Sequence, residues 1–303
     1  MSEGEDHCVK RGAYTGHLFT VEYDSTNNIL GSLVLGAPAG SSLTIDGAAE
    51  WVGGSTPAAN GSDGSPYAQA ALIKVEGTLT LNEGAVLQNN YNYTSGDGNG
   101  GGVYIDGSSA VFNMTGGKIR NNSSYRSAAD GHGGGVFIGG GANFNMSGGE
   151  ISGNYARCNG GGVDLGSAGH FTMSGGEISQ NYAMTYGGGG LYLAEEFTFS
   201  GGVIRGNVVG TGLGGGVRTA GAAFKMEGNA LVKPDNDLYL NGNVIRITGT
   251  LQENPAANIN LPSSYIAGTR VLDGTPADIA SNYNKFLVNG DADKIDSAGL
   301  FTP

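Results

Sequence analysis

The segments GGGVFI at residues 133–138 and FNMSGGEISGN at 144–154 together show the pattern from which the fold of this chain can be predicted. Their apolar residues come in pairs that are two positions apart, Val136 with Ile138 and then Phe144 with Met146. A period of two is typical of β-strands, whose alternate side chains point to opposite faces. Gly-rich turns separate the pairs, and Gly supplies the backbone conformations that tight corners need. The unit therefore predicts short strands joined by corners.

The unit recurs along the chain. Residues equivalent to Val136 follow one another in steps of 33, 27, 28 and 26 residues, namely Val103, Val136, Val163, Leu191 and Val217. Two further columns repeat in parallel: Phe112, Phe144, Phe171, Phe197 and Phe224, then Ile119, Ile151, Ile178, Ile204 and Leu231. A fainter first copy holds Leu79, Leu81 and Val86. One coil buries too little apolar surface to fold alone, so coils must stack. The prediction is an all-β, right-handed parallel β-helix (a solenoid) with about 27-residue coils.

The repeat also predicts the domain organisation. Residues 1–30 carry no copy of the unit and are expected to form an N-terminal cap or a lead-in. Residues 31–250 are assigned to the parallel β-helix, and 251–303 to the last coils and a C-terminal cap. Caps are expected because an uncovered coil end is a bare sheet edge.

An Asn follows three residues after Ile119, Ile151, Ile178 and Ile204, and three residues after Val86 in the fainter copy. The members are Asn89, Asn122, Asn154, Asn181 and Asn207. Side-chain amides stacked from coil to coil can bond to one another and to the turn backbone. These residues are therefore predicted to form a structural ladder that faces inward.

The composition excludes several classes of function. Gly supplies 58 of the 303 residues and Pro only 8, without a three-residue period, which excludes collagen. The formal net charge is -12 with 14% charged residues. Nucleic acid and anionic membranes reward Lys and Arg, so neither is an expected partner. No apolar run is long enough to span a bilayer, so no membrane insertion is expected. A neutral sugar, a protein or a cation remains compatible.

Candidate catalytic and metal-binding groups are sparse. Glu150 and Glu177 occupy the same position in adjacent coils, but Lys118 and Val203 share that column, which favours a solvated turn. Asp164 stands alone among aromatic residues in its column, and Asp235 and Asp237 fit turn chemistry better than catalysis. The four His residues have no metal-ligand spacing, and Cys8 and Cys158 are expected to be free thiols. No catalytic residue, metal or cofactor is predicted.

Tyrosines cluster beside the loops that precede each Gly-Gly-Gly. Two of these loops, 90–99 and 123–132, have ten residues, and three shorter ones follow at 155–159, 182–187 and 208–213. Insertions in repeat proteins often lie on the binding face, and Tyr is a good contact residue. The candidate binding residues at this edge are Tyr91, Tyr93, Tyr125, Tyr155, Tyr182 and Tyr186, with Tyr104 and Phe137 as a second patch. The alternative is that these rings pack along the turns and shield the edge.

GGGVFI and FNMSGGEISGN resemble the repeats of bacterial surface β-helix proteins from spirochaetes, Bacteroidetes and Firmicutes. They are also loosely similar to the chlamydial polymorphic outer-membrane proteins, although Gly-Gly-Gly-Val and Ile-x-x-Asn replace the Gly-Gly-Ala-Ile and Phe-x-x-Asn of those repeats. The resemblance covers roughly residues 70–290. It implies a pectate-lyase-like fold, exposure at the cell surface and, often, adhesion. It implies no activity, because this fold hosts many functions.

The expected function is a non-catalytic surface or secreted β-helix module, adhesin-like or presenting a ligand, with carbohydrate or a host or neighbour protein as partner. An extracellular or cell-surface location follows from the resemblance, and it implies a removed leader, because Met1–Asp6 is acidic and unlike a signal peptide. Two alternatives stay open: a polysaccharide lyase or glycoside hydrolase on the same fold, and a self-assembling structural or fibre subunit.

Overall fold

The chain winds into stacked coils of short parallel β-strands, as the repeat predicts. The computed structural model describes residues 5–11, 16–48, 51–52, 56–57, 70–93, 99–125, 131–221 and 223–303. The strands of the first coils are β1 (His7–Lys10), β2 (Phe19–Val21), β3 (Tyr23–Asp24), β4 (Ile29–Leu30), β5 (Ser32–Leu35), β6 (Leu43–Asp46), β7 (Trp51–Val52), β8 (Thr56–Pro57), β9 (Ile73–Val75), β10 (Thr78–Leu81), β11 (Ala85–Gln88) and β12 (Tyr91–Asn92).

The central coils repeat one order of strands. They contain β13 (Val103–Ile105), β14 (Val111–Met114), β15 (Lys118–Arg120), β16 (Ser123–Ser124), β17 (Val136–Ile138), β18 (Asn143–Met146), β19 (Glu150–Ser152), β20 (Tyr155–Ala156), β21 (Val163–Leu165), β22 (His170–Met173), β23 (Glu177–Ser179), β24 (Tyr182–Ala183) and β25 (Leu191–Leu193).

The last coils have longer strands and the helices. They contain β26 (Phe197–Arg205), β27 (Val208–Val209), β28 (Val217–Thr219), β29 (Phe224–Val232), β30 (Asp237–Tyr239), β31 (Ile245–Leu251), β32 (Ala257–Asn260), β33 (Leu272–Asp273), the helix α1 (Pro276–Asn282), a 3-10 turn at Tyr283–Lys285 and β34 (Phe286–Val288).

Parallel pairing between successive coils builds the faces of the solenoid. Face 1 is the ten-stranded sheet β2-β9-β13-β17-β21-β25-β28-β30-β32-β34. A 15-stranded sheet forms faces 2 and 3. Face 2 carries β5, β10, β14, β18 and β22, and face 3 carries β1, β6, β11, β15, β19 and β23. The long strand β26 joins the two faces, because it pairs with both β22 and β23. A five-stranded sheet, β12-β16-β20-β24-β27, lines the remaining edge.

The core consists of like residues stacked on like. Phe112, Phe144 and Phe171 are fully buried, and their ring centroids are 4.7 Å apart in successive coils. Met114 stacks on Met146 in the next row, and Ile119 stacks on Ile151 in face 3. The inward positions of the three faces are apolar with few exceptions, such as the buried Thr219, so burial of apolar surface offsets chain entropy lost at the Gly-rich corners.

Close backbone approach explains the Gly corners. A Cβ at Gly161 would lie 2.3 Å from the carbonyl oxygen of Gly189 in the next coil. At Gly176, the φ angle of +88° is in the region that favours Gly. The Gly residues of the repeat therefore determine where the corners form, just as its apolar residues determine where the strands form.

The Asn ladder forms, with one correction to its membership. Asn122, Asn154, Asn181 and Asn207 are buried, and each donates from its backbone N and its Nδ2 to the Oδ1 of the next Asn, at 2.8–3.2 Å. Each Nδ2 also donates to a strand carbonyl, as Asn154 does to Ile119 at 2.9 Å.

Asn89 is not the first rung of this ladder. Its φ is 55° and its Nδ2 donates to Asp46, 3.1 Å away. The buried Asn90 takes the place instead and donates its backbone N to Asn122 Oδ1 at 3.1 Å. The corner after Leu81 holds one residue more than the later corners, so Leu87, not Val86, pairs with Ile119. The prediction was wrong by that residue.

The other end of the ladder was missed from the sequence. Asn207 donates to the Oδ1 of Asn236, so Asn236 is the last rung. A bulge in the pairing of β26 with β29 shifts the register, so that Val232, not Leu231, pairs with Ile204. Asn236 also lies four residues after Val232, whereas Asn207 lies three after Ile204, so the bulge and one further residue together hide Asn236 from a search at fixed spacing.

Parallel strand pairing begins early in the chain. β1 and β2 pair in parallel with β6 and β9, so the sheets begin inside the segment 1–30. At the far end, β32, β33 and β34 still join the sheets. Helix α1 follows β33 and buries Ile279 against the core. Thr275 caps α1, because its side chain accepts from the backbone N of Asp278.

Candidate functional site

Five of the candidate tyrosines form one column, which we call the tyrosine stack: Tyr93, Tyr91, Tyr125, Tyr155 and Tyr182. Neighbouring ring centroids are 5.4–6.1 Å apart, and their planes differ by 8–28°. Strands β12, β20 and β24 carry Tyr91, Tyr155 and Tyr182. Tyr155 pairs in register with Tyr182, and the short Ser123 of β16 pairs with Tyr91 on one side and with Tyr155 on the other. The guanidinium of Arg157 lies 4.8 Å from the ring centroid of Tyr125.

Two of the five rings in the tyrosine stack are buried. Tyr91 and Tyr155 are only 4% and 2% exposed, and burial raises the pKa of both phenols. Their ring faces are covered by the neighbouring rings. Because both rings are buried, they offer a ligand little accessible surface. Tyr93 and Tyr186 are the exposed rings of this edge, and Tyr186 lies outside the stack.

A second row of residues runs along the outside of face 1. Strand register places Lys74, Tyr104, Phe137, Asp164, Tyr192 and Arg218 side by side in successive coils. Their neighbours along each strand, such as Val103 and Ile105, point inward and are fully buried. We call this row the aromatic strip. Tyr104, Phe137 and Tyr192 in it are partly exposed, and the rings of Tyr104 and Phe137 stack with centroids 5.6 Å apart.

Charged groups frame the aromatic strip at both ends. Lys74 Nζ lies 6.0 Å from the ring centroid of Tyr104 and pairs with Glu76 at 3.0 Å. The hydroxyl of Tyr104 donates to Asp106 at 3.3 Å. At the other end the guanidinium of Arg218 lies 6.0 Å from the Tyr192 ring centroid. Aromatic surface with polar groups at its margins is the usual make-up of a binding site.

Asp164 has a partner that the sequence interpretation missed. Its Oδ2 lies 3.1 Å from Nδ1 of His132, and the Asp164 side chain is almost fully buried. Burial raises the pKa of Asp164, while His132 opposes that shift. The pKa of Tyr192 is raised by burial and then by Asp164. The position of His132 in the repeat could have indicated this contact. His132 directly precedes Gly133, and from there its side chain reaches Asp164 in the strand of the next coil.

The two Glu residues form ion pairs, not a catalytic pair. Glu150 and Glu177 do pair in register, as their spacing indicated. Glu150 contacts Lys118 at 3.2 Å, and Glu177 contacts Arg205 at 2.8 Å. Hydrogen bonding from Ser152, with Lys118 next, lowers the pKa of Glu150, which is the opposite of what a general acid needs.

The remaining polar candidates have structural surroundings. Asp237 accepts from the backbone N of Gly215 and from Asn260 Nδ2, the latter at 2.6 Å. Cys8 is exposed, Cys158 is buried, and the two do not form a disulfide bond. Across the described ranges, no group of three or more His, Cys, Asp or Glu side chains is arranged to hold a metal ion. None of the described helices is long and apolar enough to cross a membrane.

Comparison with known proteins adds no relative. No protein family, no curated protein and no solved structure matches this chain. The strand register itself therefore defines the class, a Gly-rich all-β parallel solenoid with an aromatic strip on one face and a packed tyrosine stack on one edge.

Proposed function

We propose that this chain is a non-catalytic, adhesin-like β-helix module of a surface or secreted protein, and that it binds an extended glycan along the aromatic strip. The observation that carries the proposal is the row of partly exposed rings on face 1, in register from Tyr104 through Phe137 to Tyr192. Aromatic side chains offer a large contact area and have few rotatable bonds. A ligand that binds this row therefore causes only a small loss of side-chain conformational entropy.

The spacing of the coils supports an extended ligand. Parallel strands lie about 4.8 Å apart, which is close to the length of one sugar ring in a chain. Successive glycosyl units could therefore meet equivalent positions of successive coils. The backbone beneath the strip is paired on both sides, so the site is preorganised, and binding energy need not be spent on ordering it.

The charge balance supports a neutral polymer. The net charge of -12 repels polyanions over the whole surface. Lys74 is already paired with Glu76. Hydroxyl groups of a neutral glycan can form hydrogen bonds with the polar groups at the margins of the strip. A neutral glycan is not repelled by the net negative charge. The proposed surface or secreted location is consistent with this function, since such glycans occur on cell surfaces and in matrices.

The experiment is a binding titration by calorimetry with cellohexaose, xylohexaose, mannohexaose, laminarihexaose and, as an anionic comparison, oligogalacturonate. We expect one neutral hexaose to bind and the double variant Tyr104→Ala with Phe137→Ala to weaken binding at least tenfold. The matched control is Tyr93→Ala with Tyr186→Ala, two exposed rings at the other edge. A loss confined to the control, or release of shorter products, would contradict the proposal.

A further inference from the structure

Strand β5 is an edge of face 2 to which a further strand can be added. It is the first strand of that face and pairs with β10 alone among the described strands. The carbonyl oxygen of Leu35 accepts from the backbone N of Asn82 in the next coil at 2.8 Å. Backbone groups of successive residues point to opposite sides of a strand, so those of Ser32 and Val34 point away from β10. They form a row of donors and acceptors to which another strand can pair.

The opposite end of face 2 is covered by the chain itself. Its last strand, β33, donates from the backbone N of Leu272 to the carbonyl oxygen of Gly299 at 3.0 Å. Arg270, just before that strand, forms an antiparallel bridge with Leu300. A second copy of the chain therefore cannot place its β5 on β33 unless residues 299–300 move away. The two ends of face 2 thus differ, and head-to-tail stacking of copies is disfavoured.

The segment around β5 is apolar and exposed. Residues 29–38 contain no charged side chain. Ile29, Leu30 and Val34 are 59%, 49% and 60% exposed. Leu33, which packs against the core, is only half-buried. Edge strands usually avoid pairing through a Lys, a Pro or a bulge, and β5 has none of these. Exposed apolar surface of this kind is typical of a site for another protein.

A cavity beside the edge indicates the chemistry of the partner. It has a volume of about 440 Å³ and is lined by Val34, Gly36, Ala37, Pro38, Asn82 and Glu83. Glu83 is exposed, and none of the ion pairs among the described residues includes it. A Lys or Arg side chain can pack its methylene groups against Ala37 and Pro38 and bring its charge to Glu83. The cavity therefore fits a basic side chain of an added strand.

We propose that the edge of β5 binds an extended segment of another protein, with alternating apolar and basic residues, as an additional strand of face 2. The apolar residues of that segment cover Leu33, and a basic one enters the cavity beside Glu83. The net charge of -12 attracts a basic segment and repels a second copy of this chain. The aromatic strip lies on face 1, so this surface is independent of glycan binding.

The first test is fluorescence anisotropy of the labelled peptide Val-Lys-Val-Lys-Val-Lys-Val with the whole chain. Two analogues carry N-methyl groups, one on its Val nitrogens and the other on its Lys nitrogens, and a third has Glu in place of Lys. We expect saturable binding of the parent peptide, a loss of at least tenfold for one methylated analogue, and no binding of the Glu peptide. No binding of the parent would overturn the proposal. Equal binding of both methylated analogues would do the same, since it would show electrostatic attraction without strand pairing.

The second test places the peptide on the protein. Val34→Pro removes an N–H from the edge and should weaken binding at least tenfold, and Glu83→Gln should weaken it at least threefold. The matched control is Asp291→Asn, which removes the same charge from an exposed side chain at the other end and should leave binding unchanged. An equal loss in Asp291→Asn and Glu83→Gln would show that net charge, and not the cavity, attracts the peptide. Thermal melts identify any variant that fails to fold, and the methylated peptides then decide.

Sedimentation equilibrium of the protein without peptide tests the other occupant of the edge. We expect a monomer for the wild type. A dimer that Val34→Pro abolishes would show that a second copy covers β5, and would overturn the assignment of the edge to a different partner.

Discussion

At the scale of single residues, the buried Asn ladder is the feature of the coil whose hydrogen bonds tolerate the least change. Each rung satisfies a backbone N of its neighbour and a carbonyl of an adjoining strand, groups that lie where water cannot reach them. Unpaired buried polar groups cost about 1–3 kcal/mol each, so the rungs cannot be replaced singly by apolar residues. Asn at this position is therefore required by the backbone and not by a ligand.

Asn154→Ala should lower the free energy of unfolding by about 3 kcal/mol, because it removes two donated bonds and leaves the backbone N of Asn122 without its acceptor. The control is Asn145→Ala, an exposed amide that bonds Asn113 at 3.0 Å on the outside of face 2. Its effect should stay below about 0.5 kcal/mol. Urea denaturation measures both, and equal losses would show that the ladder is not the stabilising element.

Tyr155→Phe tests the packed state of the tyrosine stack. The Tyr155 hydroxyl is buried without a hydrogen-bond partner among the described residues, so removing it should leave stability at pH 7 unchanged or raise it by up to about 1 kcal/mol. A loss above that amount would show that the hydroxyl has a role.

Alkaline pH gives an independent check on the same ring. Burial raises the pKa of Tyr155 and of Tyr91 above the ordinary 10.0, so the unfolded phenols ionise first. Stability contributed by these rings is therefore complete below pH 10.0 and falls as the pH rises above it. Tyr155→Phe should reduce that fall, measured as the free energy of unfolding between pH 8 and 11.5. An identical alkaline profile for the variant would contradict the burial of this phenol.

At the scale of the coil, the corners decide whether strands can stack. Gly176 and Gly242 both have positive φ, at +88° and +79°. A Cβ at Gly176 would also lie 2.6 Å from Cε of Met146, whereas one at Gly242 would meet nothing within 4 Å. The two positions therefore separate conformational strain from steric exclusion.

Gly242→Ala should cost about 1–2 kcal/mol for its backbone conformation alone. Gly176→Ala should cost a further 1–3 kcal/mol, roughly, because the core has to move. Chemical denaturation of the two variants compares them directly. If Gly242→Ala lowers the free energy of unfolding more than Gly176→Ala does, close packing at the corner is not the reason for Gly at position 176.

The repeat allowed the strands, the faces and most of the ladder to be predicted, because identical side chains must stack in register. It failed where one residue was added, before Leu87 and in the bulge before Val232, since a fixed spacing cannot detect an insertion. Helix α1 was also missed, although Thr275 and Pro276 carry a cap signal that lies outside the repeat.

At the scale of the whole molecule, stacking produces two aromatic columns with different properties. Tyr104 and Phe137 were predicted as the lesser patch, and both rings are partly exposed, whereas Tyr91 and Tyr155 of the tyrosine stack are buried. Sequence alone does not distinguish them, because both columns repeat with the coils. The partnership of His132 with Asp164 could not be predicted either, since it joins residues 32 apart across two coils.

We infer that the aromatic strip, and not the tyrosine stack, is the functional surface. An NMR titration of the protein with ¹³C-labelled Tyr and Phe rings against the hexaose panel tests this inference. We expect resonances of Tyr104, Phe137 and Tyr192 to shift with saturation while those of Tyr91 and Tyr155 stay in place. Shifts confined to the tyrosine stack, or no shift with any hexaose, would contradict it.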